Sequence, residues 1–227
     1  TAMKKRIVIL SGAGISAESG IQTFRDGDGL WENHRIEDVA TPQAWNSNPE
    51  LVMNFYNIRR KQVMLAQPNR AHQLLAELEK QHDVYIITLN VDDLHERAGS
   101  TRVLHLHGEI LKKRCTINEN HIAPAEENML LEKTPSGGYW RPHIIWFGED
   151  VPLLEKAAQW VNEADVFIVV GTSLLVYPAA SLIHYAPLNC QRWIIDPKIP
   201  KQISSHFNVI ERPATSGIQK FVELFHH

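Results

Sequence analysis

The chain has 227 residues, 44% hydrophobic and 22% charged, with a formal net charge of -3 at pH 7. That size suits one sizeable domain whose core needs no covalent staple, and the charge leaves no basic footprint for DNA or RNA. Only two cysteines, Cys115 and Cys190, are present, which excludes a disulfide framework and a four-cysteine metal site within the chain. The scarcity of cysteine fits a reducing, cytoplasmic setting, and no apolar run approaches the roughly 18 residues of a membrane span, so neither nucleic acid nor membrane is an expected partner.

Residues 7–10 are an apolar run that reads as a buried strand, and it ends in Gly12-Ala13-Gly14-Ile15-Ser16-Ala17. Strand, glycine turn and helix start have the form of a dinucleotide fingerprint. Gly12 permits a tight turn, Gly14 a close approach of backbone to a pyrophosphate, and Ala17 close helix packing, beside the free N–H groups of a helix start. Residues 22–31, rich in glycine and aspartate, read as a mobile loop. Asn48-Pro49 starts a helix reaching about residue 67, with apolar positions Leu51, Phe55, Ile58 and Met64. Asn69 caps a second helix, with Leu74, Leu75 and Leu78 inward and Glu77, Glu79 and Lys80 toward water.

Residues 83–89 form a second strand running into Asn90-Val91-Asp92-Asp93, and residues 102–106 a third running into His107-Gly108-Glu109. Between 111 and 142 no steady period appears, so this stretch reads as a peripheral module or long loop. Strands then follow at 165–170, 192–195 and 208–210, with helices at 153–162, from about 178, and at 217–225. Alternating strands and helices imply an α/β fold, a Rossmann-like doubly wound parallel sheet. Its large part covers about 3–30, 70–110 and 143–225, with a smaller helical and loop module from about 31–69 and 111–142.

In an open parallel sheet, ligands bind beyond the carboxyl ends of the strands. Those ends carry Gly12 to Ser16, Asn90 and Asp92, His107, Gly171-Thr172-Ser173 and Asp196. His107 can act as a general base near neutral pH. A dehydrogenase would place an acidic residue about 20 residues after the glycines, at the end of its second strand. Asp38 follows no strand, so Asp196 is the better ribose partner, and the site differs in topology from hydride-transfer enzymes.

Gly12-Ala13-Gly14-Ile15-Ser16, Phe24-Arg25-Asp26, Thr88-Leu89-Asn90-Val91-Asp92, His95-Glu96-Arg97-Ala98-Gly99, Leu106-His107-Gly108, Arg141-Pro142-His143-Ile144-Ile145-Trp146-Phe147-Gly148-Glu149 and Gly171-Thr172-Ser173-Leu174 occur in that order. Together they resemble the sirtuin (Sir2) family over nearly the whole chain. The resemblance implies an NAD-dependent protein lysine deacylase that breaks the nicotinamide–ribose bond and yields nicotinamide, free lysine and O-acyl-ADP-ribose. By the same resemblance Gly12, Ala13, Gly14 and Ser16 hold the pyrophosphate, and Phe24 and Arg25 belong to a loop closing over NAD. Asn90 and Asp92 line the nicotinamide and ribose pocket, and with His107, the base for a ribose hydroxyl, make up the catalytic set. Gly171, Thr172 and Ser173 bind phosphate and ribose, and Asp196 lies near the adenosine ribose. Ile145, Trp146, Phe147 and Gly148 would pair, as a β-strand, with a peptide carrying the acylated lysine.

Tyr56 and Arg59, three apart on one helix, share a face and could clamp a carboxylate by a hydroxyl and a guanidinium fork. Their spacing resembles the Tyr-x-x-Arg pair of the class III branch, which favours succinyl, malonyl or glutaryl lysine; the bland alternative is a solvent-facing arginine. Three positions depart from the family pattern. Leu89 stands where glutamine is usual, and Asp196 where asparagine is common. Cys115 alone stands where four zinc-binding cysteines are usual, and His121, Glu126 and Glu127 match no structural zinc spacing. No zinc is therefore expected, and Ile122, Met129, Leu130 and Tyr139 should hold the module by packing. Two other readings use the same pocket: an NAD glycohydrolase or ADP-ribosyltransferase, and a non-catalytic NAD or ADP-ribose sensor.

Overall fold

The computed structural model describes residues 3–22, 30–31, 33–172, 174 and 177–226. The chain opens with β1 (Arg6–Ser11) and the short α1 (Ala13–Ala17), followed by a two-stranded hairpin, β2 (Leu30–Trp31) and β3 (His34–Arg35). Three helices come next, α2 (Ile36–Val39), α3 (Pro42–Ser47) and α4 (Pro49–Leu65). Then come α5 (Arg70–Glu77), β4 (Asp83–Thr88), α6 (Leu94–Arg97) and β5 (Val103–His105). After β6 (Gly108–Cys115), β7 (Ile122–Pro124) and β8 (Trp140–Ile144), the chain continues through α7 (Leu154–Asn162) and β9 (Val166–Val170). A 3-10 helix, Ala179–Tyr185, leads to β10 (Gln191–Ile195), α8 (Lys201–Ser204), β11 (Asn208–Ile210) and α9 (Ala214–Phe225).

Six strands make one sheet in the order β11-β10-β9-β1-β4-β5, and every neighbouring pair in it is parallel. A parallel sheet covered on both faces reads as near-continuous apolar runs, because both sets of alternate side chains are buried. In β1, Ile7 and Ile9 pack on one face with Leu75 of α5 and Phe221 of α9. Val8 and Leu10 pack on the other with Val161 of α7 and Leu182 of the 3-10 helix. The strands read from the sequence are these six.

The helix starts are also as read. Asn48 Oδ1 accepts from the Leu51 N–H at 3.2 Å, and Asn69 Oδ1 from the Ala71 N–H at 2.9 Å, each satisfying a donor that the helix leaves unpaired. The inward face of α4 differs from expectation. Ile58 and Met64 are exposed, whereas Val52, Met53, Phe55, Tyr56, Asn57, Arg59, Arg60 and Val63 are buried. Two arginines and an asparagine on the inner face break the apolar period that the eye follows in the sequence.

The stretch after His107 holds more regular structure than its sequence suggests. Beside the helices α2, α3 and α4 the module carries a three-stranded antiparallel sheet, β7-β6-β8, that the sequence did not reveal, and the chain between its strands, 116–121 and 125–139, is loop. Lys113 and Arg114 are buried on β6, so its polar sequence conceals an inward face. Met129 is buried as expected, but Ile122, Leu130 and Tyr139 are exposed. The packing comes instead from Val39, Ala44, Phe55, Tyr56, Ile110, Ile144 and Trp146, which join α2, α3 and α4 to this sheet.

Candidate active site

β1 has β4 on one side and β9 on the other, so the strand order reverses there and a crevice opens at the three carboxyl ends. Gly12, Asn90 and Gly171 stand at those ends. The Gly12 N–H donates to the Val170 carbonyl at 2.9 Å and the Gly14 N–H to the Gly171 carbonyl at 2.8 Å. A Cβ on Gly12 would lie 2.6 Å from Thr172 Cβ, and one on Gly171, where φ is +70°, would lie 2.6 Å from the Ile15 nitrogen. The glycines let two loops pack backbone to backbone, a condition for a cradle that a phosphate can approach closely.

The β1 and β4 ends are tied by a buried polar network. The Ser16 hydroxyl donates to Asp92 Oδ2 at 2.8 Å, and the Leu94 N–H to Asp92 Oδ1 at 3.1 Å. Asn90 Nδ2 donates to the Gly12 carbonyl at 3.0 Å, and the Asn90 N–H to Thr88 Oγ1 at 3.0 Å. Ser16 thus braces Asp92 rather than pointing outward. Burial raises the Asp92 pKa against the bonds from Leu94 and Ser16.

His107 sits in the turn between β5 and β6. Gly108 follows it at φ +94°, where a Cβ would fall 2.2 Å from the His143 carbonyl oxygen. Only glycine lets β6 leave so close to β8. Burial lowers the His107 pKa, against a hydrogen bond to the Leu89 backbone that favours the charged ring.

His105, two residues earlier, escaped the sequence reading. Its Nδ1 lies 3.1 Å from the Asn90 carbonyl and its Nε2 2.6 Å from Glu96 Oε2. Burial opposes its charge, but Glu96, then Glu109 and the Asn90 carbonyl, outweigh it and raise the pKa. Glu96 stood in the His95–Gly99 block, but His105 stood outside every block, and their pairing across α6 and β5 is not readable from spacing.

Tyr56 and Arg59 both face inward, 0% and 5% exposed, so Arg59 is not a solvent-facing arginine. Trp146 Nε1 donates to the Tyr56 hydroxyl oxygen at 3.0 Å. Trp45 stands over Trp146 with ring centroids 5.9 Å apart. Ile145 and Trp146 follow the end of β8, and Phe147 and Gly148 make a turn with Gly148 at φ +90°. Their N–H groups are engaged within the chain: Ile145 with the His107 carbonyl at 2.9 Å, Trp146 with Glu149 Oε1 at 2.7 Å, and Phe147 with the Ala40 carbonyl at 3.0 Å. Phe147 is exposed and Trp146 buried.

Asp196 follows β10 and accepts from the Lys198 N–H at 2.9 Å; burial raises its pKa. Thr172 Oγ1 accepts from the Leu174 N–H at 3.1 Å. Ala13 opens α1. Phe24, Arg25 and Ser173 lie outside the described residues.

The sequence pattern of the Sir2 family matches residues 12–178. The chain belongs to the Sir2 family. Among its Sir2 relatives, a protein of Bacteroides thetaiotaomicron named NAD-dependent protein deacylase is 48% identical over 228 residues, covering 97% of each chain. One of Helicobacter pylori with the same name is 55% identical over 195 residues, covering 86% of this chain and 85% of its own. Among solved structures, a Sir2 homolog–NAD complex superposes with a TM-score of 0.87 at 41% identity, covering 98% of this chain and 90% of that one.

Proposed function

We propose that the chain is an NAD-dependent protein lysine deacylase that prefers acyl groups ending in a carboxylate, such as succinyl or malonyl. The names of its relatives support the deacylase part. The observation that carries the preference is the inward placement of Tyr56 and Arg59, one helical turn apart beside Trp146. A hydroxyl and a guanidinium offered together suit a carboxylate. An acetyl group has no charge for Arg59 to meet.

The crevice suits NAD in its donor set. The glycine cradle admits a close pyrophosphate, the Asn90 and Asp92 network lies beside it, and Asp196 offers a carboxylate for a ribose diol. NAD supplies a ribose carbon made electrophilic by its nicotinamide leaving group. His107, whose buried ring favours the neutral form, takes a proton from a ribose hydroxyl at a ring nitrogen. Asn90 and Asp92, fixed by Gly12, Ser16 and Leu94, order the pocket and keep free water from competing with the acyl oxygen. Phe24, Arg25, Thr172 and Ser173 complete the nucleotide contacts in this reading.

We also propose that the module carries no structural zinc. Cys115 Sγ lies 3.1 Å from Thr134 Oγ1 and 3.5 Å from Ser136 Oγ. Neutral hydroxyls are poor partners for zinc, which takes thiolate, imidazole or carboxylate.

A second reading, NAD glycohydrolase, gains from the internal engagement of the Ile145, Trp146 and Phe147 amides, which limits the pairing left for a peptide strand. The test presents one lysine peptide as acetyl and succinyl forms with NAD, comparing wild type with Arg59→Met. Preferential desuccinylation that falls at least tenfold in the variant supports the proposal. Equal turnover of both peptides by wild type overturns the acyl preference.

A further inference from the structure

A tyrosine hydroxyl can accept hydrogen bonds at its oxygen and donate one proton, whereas an indole N–H only donates. At Tyr56 the oxygen is taken by Trp146 Nε1 at 3.0 Å. Among the described residues no acceptor takes the proton, which is therefore directed away from Trp146. Burial raises the pKa of this hydroxyl well above its ordinary value, so it keeps its proton at neutral pH.

Trp146 is itself held on three sides. Its N–H donates to Glu149 Oε1 at 2.7 Å, and its carbonyl accepts from the Glu149 N–H at 3.0 Å. Arg141 lies over its ring, with Cζ 3.6 Å from the centroid. Arg141 grips Glu149 with both terminal nitrogens, each at 2.9 Å, and also donates to the Ile144 carbonyl at 2.8 Å. Arg114 adds a third cation contact, 3.5 Å from Glu149 Oε2. Burial would raise the Glu149 pKa, but these bonds hold it below its ordinary value, so it stays ionised.

We propose that Trp146 and Glu149 are positioning residues for acyl selectivity. The Arg141–Glu149 clamp fixes the Trp146 ring, whose N–H occupies the Tyr56 oxygen and so commits Tyr56 to donate its proton to the carboxylate of the acyl group. A hydroxyl free to rotate could instead present a lone pair and repel that carboxylate. Tyr56 is fully covered, so the acyl end must shift a covering side chain to reach it. The proposal rests on the acidic-acyl reading above and names what orients its hydroxyl.

The test is a double-mutant cycle read as the ratio of kcat/KM for succinyl to acetyl peptide in wild type, Tyr56→Phe, Trp146→Phe and the double variant. Because Trp146 borders the substrate, the ratio rather than either rate is the readout. The ratio is expected to fall about tenfold in each single variant, mainly through KM for the succinyl peptide, and the double variant should fall no further. Glu149→Gln should fall in the same direction by a smaller factor, which keeps the test open if Trp146→Phe fails to fold. Independent, multiplying effects of Tyr56→Phe and Trp146→Phe would overturn the coupling while leaving the acidic-acyl reading intact. A wild-type ratio near one would overturn both.

Discussion

The Ile145 N–H donates to the His107 carbonyl at 2.9 Å. That bond joins the turn carrying His107 to the turn carrying Trp146, so the two ends of the candidate site rest on one strand crossing. The proposed proton acceptor and the proposed wall of the acyl pocket are therefore set by the same few backbone contacts. Changes at the crossing should disturb both at once.

Gly108 is the tightest point of that crossing. Gly108→Ala would place a Cβ 2.2 Å from the His143 oxygen at a φ of +94°, combining a clash with left-handed strain. A loss of about 3 kcal/mol is expected, with NAD consumption reduced beyond what the unfolded fraction explains. Thermal unfolding and an NAD assay on the same sample check this, and near wild-type values in both would count against it.

Arg60 is fully buried, donating to the Ile110 carbonyl at 2.7 Å and to Asn57 Oδ1 at 2.7 Å. Burial lowers its pKa only to about 10, so it remains charged at neutral pH. Arg60→Met should cost about 3 kcal/mol, because charged hydrogen bonds are lost and their acceptors stay buried. A urea midpoint within error of wild type would refute the bracing role given to it between α4 and β6.

Acid sensitivity should come from His72 and His95, whose rings meet at 5.1 Å behind the glycine loop. Burial, aided by Arg97, lowers His72 to about 4; His95 also lies well below its ordinary value, chiefly through burial. A folded pKa below the unfolded one means that the unfolded state binds more protons between them. Stability is then fully present above about 6.5 and declines toward pH 4, by about 3 kcal/mol for His72. Replacing His72 with Gln should flatten the urea midpoint against pH between 6.5 and 4; an unchanged slope would contradict the assignment.

Activity should follow a different group. The lowered pKa of His107 keeps the base neutral somewhat below pH 6.5, so kcat/KM should be flat above that value and fall on the acid side. A pH–rate profile restricted to conditions where the fold is intact measures it, and a midpoint above 6.5 would contradict the burial argument.

The parallel sheet was legible because each strand is a short apolar run closed by a glycine or polar turn, and because those turns converge at one edge. The second sheet was not. Lys113 and Arg114 are buried on β6, where their ion pairs and the stack of Lys113 on Trp140 replace apolar contacts. The same reason hid the inward face of α4, which Arg59 and Arg60 share. Tyr56 and Arg59 were legible as a pair from their spacing. Their partner Trp146, 90 positions away, belonged to a quoted motif, but nothing in one dimension points its indole at Tyr56. Buried polar residues with distant partners are where sequence periodicity gives least guidance.

The proposed coupling of nucleotide cleavage to acyl removal at His107 has a direct test. The most direct measurement follows nicotinamide release and deacylated peptide together, with and without succinyl-lysine peptide, for wild type and His107→Ala. One nicotinamide per peptide deacylated is expected, with the deacylated product lost in His107→Ala. Nicotinamide released at the same rate without peptide, with no deacylated product, would contradict it and make the protein a glycohydrolase.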